Sequence, residues 1–225
     1  MIFSDTLANT LSKHRFLRAL ACLLLAACAT LSTGAQAAPT ILVMGDSLSA
    51  EYGLQRGKGW VALMEQRLKE KQLDYSVVNA SISGETSSGG AARLAGAMAQ
   101  AKPAVVIIEL GANDGLRGLA LAATRANFES MIAASQKAGA RVLLVGMQLP
   151  PNYGRDYTDK FKTLYPDLAQ QHKTALAPFL LDGIGDKPEL FQADGIHPLA
   201  QAHPRMLDNV WPALESLLKP AKIKR

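Results

Sequence analysis

Cysteine is nearly absent from this chain: of 225 residues only Cys22 and Cys28 carry a thiol, and both lie near the N-terminus. A chain cut after Ala37 would hold none, which excludes disulfides and a cysteine nucleophile from the remainder. The four histidines, His14, His172, His197 and His203, are scattered and lack ligand spacing, so neither a metal nor a cofactor is expected. Neither Gly-x-Gly-x-x-Gly nor a Walker pattern occurs to cradle a phosphate. No apolar run reaches the roughly 20 residues that span a bilayer, so no stable membrane span is expected. Excess charge is small as well. The formal net charge is +5, and it falls to about +3 without the first 37 residues, too little to argue for a nucleic-acid partner. No repeat or Pro/Gly/Ser-rich linker divides residues 38–225, so one domain is expected over that span.

The N-terminus itself reads as an address. Lys13, His14, Arg15 and Arg18 precede an apolar run from Ala19 to Leu31, and Ala35-Gln-Ala37 supplies the small-x-small pattern of a signal-peptidase site. Residues 1–37 are therefore expected to be a signal peptide cleaved after Ala37, leaving a periplasmic or secreted protein. The alternative is Leu25-Ala-Ala-Cys28, which resembles a bacterial lipobox and would leave a lipoprotein anchored through Cys28.

Beyond residue 38, strand and helix signals alternate. Thr40 to Met44, Ser76 to Asn79, Ala104 to Leu110, Arg141 to Met147 and Ala175 to Leu180 are short runs rich in Val, Ile and Leu, the pattern of buried parallel strands. Helical periodicity fills the gaps over Gly59 to Lys71, Ala91 to Ala101, Thr124 to Ala138 and Asp159 to Lys173, with a last helix from about Leu199. This alternation predicts a doubly wound α/β fold with right-handed crossovers and helices on both faces. Trp60, Trp211, Met44 and Met147 are expected in the core, while His172 and His203 near helix ends are read as surface or capping residues.

Chemistry in such a sheet lies in the loops beyond the carboxyl ends of the strands, and every sharp motif falls there. Gly45-Asp-Ser47 comes after the first strand, Asn79-Ala-Ser-Ile-Ser-Gly84 after the second, Gly111-Ala-Asn-Asp-Gly115 after the third, and Asp194-Gly-Ile-His-Pro198 after the fifth. Singly, each is an ordinary turn sequence. Together they offer a serine, an imidazole to accept its proton and a carboxylate to orient that imidazole, the set that makes a hydroxyl nucleophilic. Asp46 and Asp114 are read as loop-holders that bond nearby backbone.

With these motifs in place the chain resembles the SGNH (GDSL) hydrolase superfamily, through Ser47, Gly84, Asn113 and His197, with Asp194 three residues before the histidine. The similarity is closer still to the bacterial periplasmic thioesterase I / lysophospholipase group, through Asn79 to Gly84, Glu109-Leu-Gly111, Asn113 to Gly118, Leu149-Pro150 with Asn152-Tyr-Gly154, and Asp194 to Pro198. One departure is Ala112, where that group usually has a second glycine. The resemblance implies a three-layer α/β/α sandwich on a five-stranded parallel sheet of flavodoxin-like order. It also implies Ser47 as nucleophile, His197 as general base and acid, and Asp194 as the residue that fixes the imidazole tautomer. The oxyanion hole would comprise the N–H of Ser47, the N–H of Gly84 and the side-chain amide of Asn113. Leu116 and Tyr153 would lie near the acyl chain.

The function expected from this is hydrolysis of a small-molecule acyl ester, thioester or lysophospholipid by a monomeric serine esterase. Two other readings compete with it, a carbohydrate acetylesterase of the same superfamily and a non-enzymatic envelope ligand-binding protein.

Overall fold

A computed structural model describes residues 38–218 of the chain. The leader, with its Ala37 cleavage site and Cys28, lies outside the described residues, as does the basic segment from Lys219 to Arg225.

Five parallel strands form one sheet: β1 (Thr40–Gly45), β2 (Ser76–Asn79), β3 (Val105–Glu109), β4 (Arg141–Val145) and β5 (Ala175–Ala177), in the order β2-β1-β3-β4-β5. This is the expected flavodoxin-like winding, in which the order reverses between β1 and β3 and opens a crevice there. The central strands are covered on both faces, which explains their unbroken apolar sequence: Ile41 to Met44 of β1 and Val105 to Ile108 of β3 are fully buried. Each such side chain contributes about 1.5–3 kcal/mol on burial. β2 departs from the expectation of a buried strand. It lies at the sheet edge, and Val78 is 40% exposed.

Among the described residues six helices complete the sandwich: α1 (Trp60–Glu70), α2 (Ser87–Ala101), α3 (Ala112–Leu116), α4 (Leu121–Lys137), α5 (Arg155–His172) and α6 (His203–Leu217). α1 packs with α6 on one face, and α2, α4 and α5 pack together on the other. α6 buries Leu207, Val210, Trp211 and Leu214 at helical spacing, and α5 buries Phe161, Leu164, Tyr165 and Leu168 in the same way. Trp60, Met44 and Met147 are buried as expected.

Boundaries shifted where a tertiary bond overrode local propensity. α2 begins at Ser87, four residues before the periodicity becomes visible, because Thr86 caps it and Ser87 bonds Asp114 across the molecule. α6 begins at His203, after a short 3-10 turn over Ala200–Ala202. His203 is no surface residue. It is buried, and its Nδ1 accepts the N–H of Trp60 at 3.0 Å, so it caps the neighbouring α1. Burial holds its imidazole below the ordinary histidine value.

Candidate active site

The turn after β1 sets the angle of Ser47. Asp46 Oδ1 accepts the N–H of Leu48 at 3.0 Å and its carbonyl accepts that of Ala50 at 3.0 Å, which folds the chain sharply and leaves the Ser47 side chain facing outward. Gly45 is required just before it: a Cβ there would stand 2.7 Å from both the Cβ of Ser49 and the Oγ of Ser81.

A second turn delivers the histidine. Phe191 and Pro198 pair as an isolated antiparallel bridge, Gln192 N–H donates to the His197 carbonyl at 2.8 Å, and Gly195 takes φ +68° at the bend between them. Inside this turn Asp194 Oδ1 accepts the N–H groups of Ile196 (2.9 Å) and His197 (3.0 Å), while Oδ2 lies 2.7 Å from His197 Nδ1. The main-chain N–H of His197 is the largest influence on the carboxyl, followed by the His197 ring and the N–H of Ile196; together they hold it at about 2. The carboxylate thus fixes the proton on Nδ1 and leaves Nε2 as acceptor. That atom is 2.9 Å from Ser47 Oγ. The three residues meet as their strand-end positions implied.

The remaining motif residues converge on the same rim. Gly84 adopts φ +78°, and its carbonyl accepts Arg117 Nη2 at 3.0 Å. Among the described residues, neither the N–H of Ser47 nor that of Gly84 donates to another protein group. Asn113 is the second residue of α3, and its Nδ2 donates to the Glu85 carbonyl (3.0 Å) and to Asp46 Oδ2 (3.2 Å). The Ala112 departure leaves the turn intact. Gly111 carries the left-handed conformation (φ +98°), and Ala112 begins the helix, where alanine fits. Asp114 holds more than its own loop: it is buried and accepts from Ser87 and Thr124, which lie far from it in sequence.

An apolar groove of about 640 Å³ starts beside these groups, at Leu48, Ala112 and Gly195, and continues between Leu116, Leu149 and Phe179. That volume falls within the usual range of small-molecule sites. Leu116 lines it. Tyr153 does not: the wall beside its short 3-10 turn is made by Pro150 and Pro151 instead. Among the described residues no group of three or more His, Cys, Asp or Glu is placed to hold a metal ion, and no helix is long and apolar enough to cross a membrane.

Three site residues lay outside the set of catalytic groups that the sequence motifs define. Tyr52 stacks on His197, and Asp46 and Glu109 form a buried acidic pair behind the Ser47 turn. Burial raises the Asp46 carboxyl to about 6, opposed by the N–H of Leu48, by His197 and by Asn113, with Asp114 adding to the rise. Burial likewise lifts Glu109 well above its ordinary value, and Asp46 adds repulsion. Strand register brings the two acids together, since Gly45 pairs with Glu109 across the sheet.

A serine, an imidazole and a carboxylate in hydrogen-bonded line at the open end of a parallel sheet define a serine hydrolase of α/β type. The chain belongs to the GDSL-like Lipase/Acylhydrolase family, whose pattern matches residues 43–205. It is 54% identical over 198 residues to "Esterase TesA" of Pseudomonas aeruginosa, covering 87% of this chain and 98% of that protein. It is 41% identical over 184 residues to "Thioesterase 1/protease 1/lysophospholipase L1" of Escherichia coli, covering 82% and 87%. A crystal structure of TesA superposes with a TM-score of 0.78 at 55% identity, covering 80% of this chain and 99% of that one. The three-layer fold on five parallel strands is the one the sequence resemblance implied.

Proposed function

We propose that this protein hydrolyses acyl esters and thioesters through an acyl-enzyme on Ser47. His197 Nε2 takes the Ser47 proton as Oγ attacks the acyl carbonyl, and Asp194 holds the imidazole in the tautomer that makes this possible. The resulting oxyanion is bound by the N–H groups of Ser47 and Gly84 and the amide of Asn113; losing one such donor typically costs on the order of 3 kcal/mol, or about a hundredfold in rate. His197 then returns the proton to the leaving alcohol or thiol, and a water activated the same way releases the acid. Thioesters and oxygen esters pass through the same tetrahedral oxyanion, so one site serves both.

The observation that carries this reading is the 2.9 Å approach of His197 Nε2 to Ser47 Oγ beside an apolar groove. The groove favours substrates with an acyl chain over acetylated sugars, and the lysophospholipase in the name of the Escherichia coli relative points the same way. With residues 1–37 read as a cleaved leader, the enzyme acts as a monomer in the periplasm or outside the cell on lysophospholipids or other envelope acyl esters. Retention of Cys28 as a lipid anchor is the alternative that an intact mass of the purified protein distinguishes. A fluorophosphonate is expected to label the wild type and to leave Ser47→Ala unlabelled, with long-chain nitrophenyl esters cleaved alongside short ones. An unlabelled wild type would remove the serine mechanism, and activity confined to acetyl esters would remove the acyl-chain assignment.

A further inference from the structure

Asp46 and Glu109 are 1% and 2% exposed, and neither has a lysine or arginine within ion-pair distance among the described residues. Burying carboxylates without a counter-charge is costly, and neither takes part in the proton line from Ser47 to Asp194. Their hydrogen bonds show where they act. Glu109 Oε2 accepts Ser49 Oγ at 2.6 Å, Ser49 Oγ accepts Trp60 Nε1 at 3.2 Å, and the N–H of Asp46 also bonds Glu109. Glu109 thus grips the turn from behind. Asp46 reaches forward from the same turn to Asn113.

An amide side chain rotates through a broad, two-fold torsion, so Asn113 could present either Nδ2 or Oδ1 to the substrate. Presenting Oδ1 would oppose a developing oxyanion with a second acceptor. Two acceptors already face Nδ2, the Glu85 carbonyl and Asp46 Oδ2, and a flipped amide would set its oxygen against both. We propose that Asp46 is a positioning residue for acyl transfer, its buried carboxylate selecting the Asn113 rotamer that presents an N–H to the oxyanion. The inference rests on the proposed acyl-enzyme at Ser47. Both Nδ2 hydrogens have acceptors in the free enzyme, so an arriving oxyanion shares one of them, and the longer bond to Asp46 is the easier to share. The titratable groups that face Asp46 are Glu109 from β3, Asp114 from α3, Tyr165 from α5 and His197 from the C-terminal loop. Asp46 ionises at about 6, so the orienting charge is present at neutral pH.

Asp46→Asn tests this directly, because the new amide keeps the bond from Leu48 only by turning its own NH₂ toward that of Asn113. Its kcat on a nitrophenyl ester is expected to fall roughly ten- to a hundredfold, with KM changed by less than about threefold. In an Asn113→Ala background the same substitution is expected to cost less than about threefold, since no amide remains to be oriented. An equal loss in both backgrounds would make Asp46 merely structural, and a wild-type rate in Asp46→Asn would end the proposal outright. If Asp46→Asn does not fold, the side-chain amide resonances of Asn113, monitored in His197→Ala so that the imidazole does not contribute, should titrate with a midpoint no lower than about 6, because the imidazole that lowers Asp46 is gone. Resonances that do not titrate between pH 4 and 8 overturn the proposal. Failure of the underlying acyl-enzyme mechanism would look different, as absence of Ser47 labelling in the wild type.

Discussion

Tyr52 covers one face of the His197 imidazole, with ring centroids 4.3 Å apart and planes tilted by 37°. The tyrosine is tied into both halves of the site. Its N–H donates to the Ser47 carbonyl at 3.3 Å, and its carbonyl accepts Gln192 Nε2 at 2.9 Å from the loop that carries the histidine. Half of the side chain still meets solvent.

The ring therefore limits how far the imidazole can swing away from Ser47. Aromatic pairs of this kind contribute about 0.5–1.5 kcal/mol, which translates to a two- to tenfold loss of kcat/KM in Tyr52→Ala. Tyr52→Phe is expected to stay near the wild type, because the hydroxyl has no hydrogen-bond partner among the described residues. Kinetics on a short nitrophenyl ester check both, and three indistinguishable enzymes would separate the ring from catalysis.

Glu109 gives the fold a pH dependence that runs against ordinary carboxylates. Burial raises its value in the folded protein well above that of the unfolded chain, about 4.3, so the fold retains a proton that the unfolded chain releases. The stability this group contributes is complete below the unfolded value and is lost as pH rises through the folded one, at up to about 1.4 kcal/mol per pH unit. Glu109→Gln keeps the shape and an acceptor for Ser49 but cannot ionise. Thermal unfolding should therefore find the wild type at least as stable as Glu109→Gln at pH 5 and less stable at pH 9. Parallel curves across that range would mean that Glu109 does not hold its proton in the fold.

The sequence carried the residues of the candidate site more fully than the device around them. Ser47, Gly84, Asn113, Asp194 and His197 were legible because each sits in a strand-end turn, and the order of a parallel sheet forces such turns to one rim. Glu109 was not, because a single acid ending a Val-Val-Ile-Ile run looks like the polar end of a strand; only the parallel register brings it under Ser49. Tyr52 and His203 act on residues far along the chain, a distance that periodicity does not encode. The exposure of β2 was half legible, since polar Ser76 and Asn79 flank its two valines, but its place at the sheet edge comes from topology.

The groove makes the last prediction specific. Leu116 ends α3, one turn beyond Asn113, and faces a channel whose other walls include Leu149 and Phe179. An acyl chain leaving the carbonyl at Ser47 has this apolar path open to it, and each buried methylene contributes about 0.8 kcal/mol. Leu116→Trp should block the path, lowering kcat/KM on octanoyl and longer esters by about tenfold or more while leaving acetyl and butyryl esters within about threefold. Tyr153→Ala should change the profile less, because Tyr153 touches the groove only through the turn that sets Pro150 and Pro151. A chain-length series on the three enzymes measures this. If Leu116→Trp kept the wild-type profile, the acyl chain would have to leave the site by another route, and the apolar lining would serve packing alone.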